Sequence, residues 1–346
     1  MHIPSVFVEC LFYVYGSEAE ANRGSRSGGT GFLVHYPSSI EGYSHVYAVT
    51  NKHVIDDGFC VLRLNRKDGL ADTIPTQPEQ WLPHPDGDDV AVFPVAIGGD
   101  FQWWPIPAKK FISRQTIDDY KIGYGDEVFL IGRLISHPGT RKNTPIIRFG
   151  NVALMADATE PMEYRNAKRQ LVKQEAFLVE CRSLSGFSGS PVFVTTSQDY
   201  RDEDAERVVR ARQKEMGHVP SIEEQARFKA VSFSGTQGPW LLGIDFGHPP
   251  LWQEVYKKDE KTRADLVVDA NTGLAGVIPA WRLLKLLEVE KLMKQRAKDD
   301  RKLAKQIAKD ASKETSIILD SSKRSDDALT EKEFLSTLKK VTRKLP

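Results

Sequence analysis

Three cysteines, Cys10, Cys60 and Cys181, are all that the 346 residues contain. An odd count without regular spacing excludes a disulfide framework and suits a reducing compartment, where scattered thiols act as small buried hydrophobes. No apolar run reaches the ~18 residues needed to span a bilayer. The N-terminus lacks a basic stretch leading into an apolar segment and a small-residue cleavage site, so no secretory leader is expected. The expected compartment is therefore the cytoplasm. Charge of neither sign dominates, with 48 Lys and Arg against 47 Asp and Glu. That balance gives no global reason for nucleic acid or a membrane as partner. Neither HExxH nor paired Cys/His spacing occurs, so no metal or other cofactor is expected.

What is present is a chain with 40% hydrophobic and 27% charged residues, enough for a sizeable core in a globular protein. The length fits one large two-lobed domain with an extension. Period-two alternation over Val6–Val14 predicts a strand. Residues 16–29, GSEAEANRGSRSGG, read as a polar Gly-rich loop. Further strands are predicted at 31–35, 46–50, 90–95, 127–131, 146–149, 176–181, 191–195 and 240–245. Many short, closely spaced strands predict an all-β sandwich or barrel. Residues 197–230 are charged and helix-prone, and read as a helical insertion. From Pro279 the pattern turns helical. The stretch Lys291–Lys313 interleaves Asp299, Asp300 and Asp310 among its bases, which reads as a solvated helix face. A polar linker is expected over 316–329, and a second short helix over 331–344.

Acyl transfer needs a hydroxyl nucleophile, an imidazole to move its proton, a carboxylate to orient that imidazole, and N–H donors for the developing oxyanion. Ser188 lies in Ser185-Gly-Phe-Ser-Gly-Ser-Pro191, where Gly186 and Gly189 permit a tight turn. That turn can aim the N–H groups of Gly186 and Ser188 at one point. His53 follows the strand Tyr47-Ala-Val-Thr50. Asp89 directly precedes Val90-Ala-Val92, with Asp86 and Asp88 as rivals in the same turn. His2, His35, His45, His84, His137, His218 and His248 read as structural or solvated.

The order His, Asp, Ser resembles the trypsin-like peptidases. The motifs Gly-Thr-Gly-Phe-Leu-Val, Val-Thr-Asn-Lys-His-Val, Asp-Asp-Val-Ala-Val and Gly-Phe-Ser-Gly-Ser-Pro-Val carry the likeness. The bacterial branch without disulfides, which includes the HtrA-type proteases, is the most similar. Gly125-Asp-Glu-Val-Phe-Leu-Ile-Gly132 and Gly273-Leu-Ala-Gly-Val-Ile-Pro279 also match that branch. The resemblance implies an all-β core of two packed six-stranded β-barrels: barrel one over about 5–105, and barrel two over about 118–288. A peptidase domain would then cover 1–288, with a charged helical extension over 289–346 and no PDZ-like module. It implies a triad of His53, Asp89 and Ser188, and an oxyanion hole from the N–H groups of Gly186 and Ser188. The strand around Gly243, Phe246 and Gly247 would pair with the substrate backbone. Arg182, in the segment just before the nucleophile, falls on the implied substrate-pocket wall, where it would either favour an acidic side chain or simply lie on the surface as an ordinary exposed arginine.

Two positions depart from the pattern. Phe187 stands where secreted relatives have an Asp that pairs with a freed N-terminus, which argues against that mode of activation and leaves open how the oxyanion loop is held. Ser190 stands in place of the second glycine. The expected function is a serine endopeptidase acting on a protein or peptide, with a regulatory partner engaging the insertion or the C-terminal helices. The alternative is a silent pseudoprotease that scaffolds partners. An esterase is disfavoured because no Gly-x-Ser-x-Gly elbow is present.

Overall fold

In the computed structural model the described residues are 3–25, 27–134, 137, 139–165, 171–181, 186–197, 236–248, 251–256, 263–270 and 272–324. The insertion expected over 197–230, Ser197 apart, and the helix expected over 331–344 lie outside them.

The N-terminal half forms an eight-stranded sheet. Its strands are β1 (Leu11–Tyr15), β2 (Ser27–Pro37), β3 (Ser44–Thr50), β4 (Val61–Asn65), β5 (Ala71–Ile74), β6 (Leu82–Pro83), β7 (Ala91–Pro94) and β8 (Ile106–Pro107). They run in the order β5-β4-β1-β2-β3-β7-β6, with β8 parallel to β2. Among the described residues, closure of these strands into the expected six-stranded first barrel is not seen. The C-terminal half is a closed barrel in the order β10-β13-β18-β15-β14-β9. Its strands are β9 (Glu127–Gly132), β10 (Ile146–Leu154), β13 (Phe177–Glu180), β14 (Pro191–Ser197), β15 (Thr236–Gly247) and β18 (Leu274–Pro279). Two small ribbons are added, β11 (Met162–Arg165) with β12 (Leu171–Gln174), and β16 (Leu251–Tyr256) with β17 (Arg263–Ala270).

Strand β1 is buried throughout, which its unbroken run of apolar and aromatic residues requires. Phe12 and Val14 join Leu33, Ala48, Leu62 and Trp81 in one cluster. Tyr13 and Tyr15 point the other way, to Ala21 and Val61. Each of the larger apolar side chains stabilises the fold by about 1.5–3 kcal/mol through burial. The two halves are tied by buried Arg63 of β4. It donates to the carbonyls of Gly139 (2.9 Å) and Thr140 (2.6 Å) and to Asn143 Oδ1 (3.2 Å). Asn143 returns a bond from Nδ2 to the Arg63 carbonyl at 2.6 Å.

Three local expectations are corrected. The strand predicted from Val6 starts only at Leu11, because Ser5–Phe7 form a 3-10 turn. That turn swings Phe7 edge-on to Phe129 (5.9 Å) and Phe193 (5.1 Å) of the barrel. The loop expected over 16–29 contains a helix, α1 (Glu18–Arg23), N-capped by Ser17 and ended by Gly24 in the left-handed region. Three further helices follow: α2 (Lys52–Asp56), α3 (Arg114–Tyr120) and α4 (Ala280–Leu287). The linker expected from residue 316 is helical as far as Arg324, within α5 (Glu290–Arg324). Among the described residues, no helix is long and apolar enough to cross a membrane.

The chain divides into two compact units, residues 1–35 with 46–286, and residues 36–45 with 287–346. The second unit therefore includes the connection between β2 and β3 as well as the expected extension. Within it Asp300 of α5 accepts from the Ser38 hydroxyl (2.7 Å), from the Ser39 N–H (2.9 Å) and hydroxyl (2.6 Å), and meets His45 Nε2 at 2.7 Å. The Arg296 guanidinium lies 4.2 Å from the centroid of the Tyr36 ring.

Candidate active site

Strand β3 ends at Thr50, and Asn51 opens α2 in an extended conformation, so that His53 is presented on its first turn. Asp89 sits at the entry to β7, which pairs with β3 in register from Thr50–Ala91 to Tyr47–Pro94. That pairing brings the two residues together although 36 positions separate them. Asp89 grips His53 twice. Oδ1 accepts from the His53 backbone N–H at 2.8 Å, and Oδ2 meets Nδ1 at 2.5 Å. Asn51 Nδ2 donates to the Asp89 carbonyl at 2.8 Å, and the Asp89 N–H points at Gln174 Oε1, 3.4 Å away. The carboxylate therefore has little freedom left.

Burial of the ring by itself lowers the His53 pKa. The bond to Asp89 and its charge, with Asp57 and Asp245 adding weaker attraction, outweigh that burial and raise it above the ordinary histidine value. The rivals in the acidic turn are committed elsewhere. Asp88 takes the Arg282 Nε–H and lies 3.3 Å from buried His84. Asp86 pairs with Arg282 Nη2 (2.8 Å) and Lys285 Nζ (2.5 Å) of α4.

Ser188 lies on a turn just before β14, half-buried. Gly186 and Gly189 have φ of 96° and 86°, a region that L side chains avoid. A Cβ on Gly189 would also stand 2.1 Å from the Thr30 carbonyl oxygen and 2.4 Å from Thr50 Oγ1. The turn is joined to both neighbours. Thr30 N–H of β2 donates to the Ser188 carbonyl at 2.9 Å, and Gly189 N–H donates to the Asp245 carbonyl of β15 at 2.9 Å. Ser188 is thus placed against β2, beside the strand that delivers His53.

The aromatic between Gly186 and Ser188 is fully buried. A Cβ built on Gly132 would stand 2.5 Å from Phe187 Cδ1 and 2.4 Å from Ser190 Oγ, so the ring lies directly on β9 where no side chain intervenes. The Arg148 guanidinium is 5.3 Å from the ring centroid. An apolar plug thus lies under the loop.

The expected substrate-strand residues separate in the structure. Gly243 is paired on both sides, with Val192 of β14 and Pro279 of β18. Phe246 is buried in a cluster with Ala176 and Ile278. Gly247 ends β15 opposite Gly276, with a φ of 120°. Arg182 lies outside the described residues. Sequence reasoning missed Thr30, Thr50, Asn51, Gln174 and Asp245, whose roles depend on contacts distant in the chain. The three cysteines are buried, and burial raises each thiol pKa, that of Cys181 to about 11. None is poised as a thiolate nucleophile.

No family model and no curated protein matches this chain. Among solved structures the chain is similar to the active form of the Rv3671c protease from M. tuberculosis, at 14% identity and a TM-score of 0.39, covering 82% of this chain and 86% of that one. It is similar also to the inactive form of the Rv3671c protease, at 13% identity and a TM-score of 0.37, covering 82% of this chain and 94% of that one.

Proposed function

We propose that this protein is a serine endopeptidase that cleaves peptide bonds through an acyl-enzyme, with Ser188 as nucleophile, His53 as base and Asp89 as orienting carboxylate. The observation that carries the reading is the double grip of Asp89 on His53. A carboxylate on Nδ1 fixes the tautomer that leaves Nε2 as the proton acceptor, and stabilises the imidazolium formed when Ser188 loses its proton. His53 would next deliver that proton to the leaving amine. The N–H groups of Gly186 and Ser188 would stabilise the oxyanion of each tetrahedral intermediate. Water, deprotonated by the same imidazole, would release the acyl group.

Gly243 is paired on both sides, so it offers no backbone edge to which a substrate strand could add. The His53 side chain is 42% exposed, which leaves the base open to an incoming chain, while the Asp89 side chain is only 17% exposed. The test is cleavage of an unfolded protein by the purified chain, read by mass spectrometry of the fragments. Fragments should appear with the wild type and vanish with Ser188→Ala and His53→Ala. Equal fragments from Ser188→Ala would reject the assignment.

A further inference from the structure

Resting on the peptidase reading, we infer that Thr30 is the positioning residue of the oxyanion loop and replaces the charged anchor of the secreted relatives with neutral hydrogen bonds. The two N–H groups assigned to the oxyanion belong to Gly186 and Ser188, and Thr30 holds the carbonyl of each. Its hydroxyl donates to the Gly186 oxygen at 2.8 Å, and its backbone N–H donates to the Ser188 oxygen at 2.9 Å. The same hydroxyl oxygen accepts from the Arg133 N–H at 3.3 Å, which fixes its orientation. Thr50 Oγ1 in turn donates to the Thr30 carbonyl at 2.8 Å, three residues before His53. Thr30 and Thr50 are both fully buried. A continuous set of bonds thus runs from the end of the base-bearing strand to the oxyanion turn.

The need for such a hold follows from the residue it acts on. Gly186 has a φ of 96° and no side chain, so nothing of its own limits rotation of the peptides on either side. The Gly186 carbonyl belongs to the 186–187 peptide, which joins the two donor-bearing peptides, so turning it would re-aim the donors on either side. Packing of the Phe187 ring sets the depth of the loop, and the Ser190 N–H, donating to the Phe187 carbonyl at 2.8 Å, orients the 187–188 peptide; the 186–187 peptide needs a partner of its own. The Thr30 hydroxyl supplies the direction. Thr30 is not itself a catalytic residue, since its polar groups face the carbonyls of the loop and not the reacting atoms.

Thr30→Val keeps the side-chain shape, removes the hydroxyl, and leaves the Gly186 carbonyl and the Arg133 N–H without that partner. Thr30→Ser restores the hydroxyl. In the full-length chain, Thr30→Val should lower kcat about 10–100-fold with KM within about twofold, a fraction of what loss of a whole oxyanion donor costs. Hydrogen exchange of the amides over 186–190 should rise about tenfold or more in Thr30→Val, and Thr30→Ser should return both readouts to within about threefold of wild type. Should Thr30→Val not fold, Thr30→Ala takes its place against Thr30→Ser. A folded Thr30→Val with wild-type kcat and wild-type exchange overturns the inference. Exchange also decides it without turnover. If wild type neither cleaves nor labels at Ser188, the peptidase reading falls, while faster exchange in Thr30→Val still supports the hold on the loop and unchanged exchange still removes it.

Discussion

Replacing Phe187 by alanine removes a fully buried ring from beneath the turn that carries Ser188. Large-to-small changes at such positions cost about 3–5 kcal/mol, with the higher values where neighbours cannot close the gap. Here one wall is Gly132, whose β9 backbone has no side chain to move inward. The contact with the Arg148 guanidinium, 5.3 Å from the ring centroid, disappears as well. The melting temperature should fall by roughly 10 °C, given about 2–4 °C per kcal/mol for domains of 150–250 residues. The converse change, Gly132→Ala, places a methyl within 2.5 Å of Phe187 Cδ1 and should cost about 1–3 kcal/mol by overpacking. Combined, the two changes partly cancel, because the new methyl enters the space the ring has left. Chemical denaturation of wild type, both single variants and the double variant should therefore give a coupling of at least about 1 kcal/mol, with the double variant better than the sum. Additivity within about 0.5 kcal/mol would refute the argument that ring and glycine share one space.

Asp89→Asn should lower kcat about 10³–10⁴-fold at neutral pH, because an amide donor facing Nδ1 selects the wrong tautomer. A base must be neutral to act, so the acid limb of the wild-type kcat/KM profile should lie above the ordinary histidine pKa, following the raised pKa of His53. The residual activity of Asp89→Asn should show that limb at lower pH, and an unmoved limb would contradict the assignment. Asp88→Asn should leave kcat within about tenfold of wild type, while Arg282→Ala should destabilise by about 3–5 kcal/mol through the stranded Asp88, whose side chain is only 8% exposed. Bonds from Ser39, Ser38 and His45 hold the Asp300 pKa well below the usual carboxylate range. Its contribution is therefore full above the unfolded value of about 4 and is lost as pH falls through the depressed folded value. The stability gap between wild type and Asp300→Asn, followed by thermal melting, should narrow as pH is lowered from about 6 to 3.

The strands of both halves were legible where short, mostly apolar runs coincided with burial, as in Tyr47–Thr50 of β3 and Val128–Ile131 of β9. The same signal misled at Val6 and Val8, where the position of Phe7 against Phe129 and Phe193 overrides a local pattern that fits a strand equally well. Helix α1 carried readable caps, Ser17 three residues before Glu20 and Gly24 at its end, but glycine-rich composition hid them. Closure of a sheet into a barrel depends on which edges meet, and no local periodicity records that. At the candidate site, His53 and Asp89 were legible because each sits at a strand end with a distinctive neighbourhood. The choice of Asp89 over Asp86 and Asp88 gains its physical basis from the fold, which sets Asp89 on His53 and gives the two rivals to Arg282 and Lys285 of α4. Thr30 offered no signal beyond a threonine between glycines, since its partners Gly186 and Ser188 reach it only through the fold.

The central claim is that the Ser188 hydroxyl is activated by His53, and its most direct measure is stoichiometric phosphonylation by a fluorophosphonate, mapped by peptide mass spectrometry. The account predicts one adduct per chain, on Ser188, lost in Ser188→Ala and slowed at least about 10³-fold in His53→Ala. A wild-type chain that stays unmodified, or one that labels equally fast without the imidazole, would contradict it.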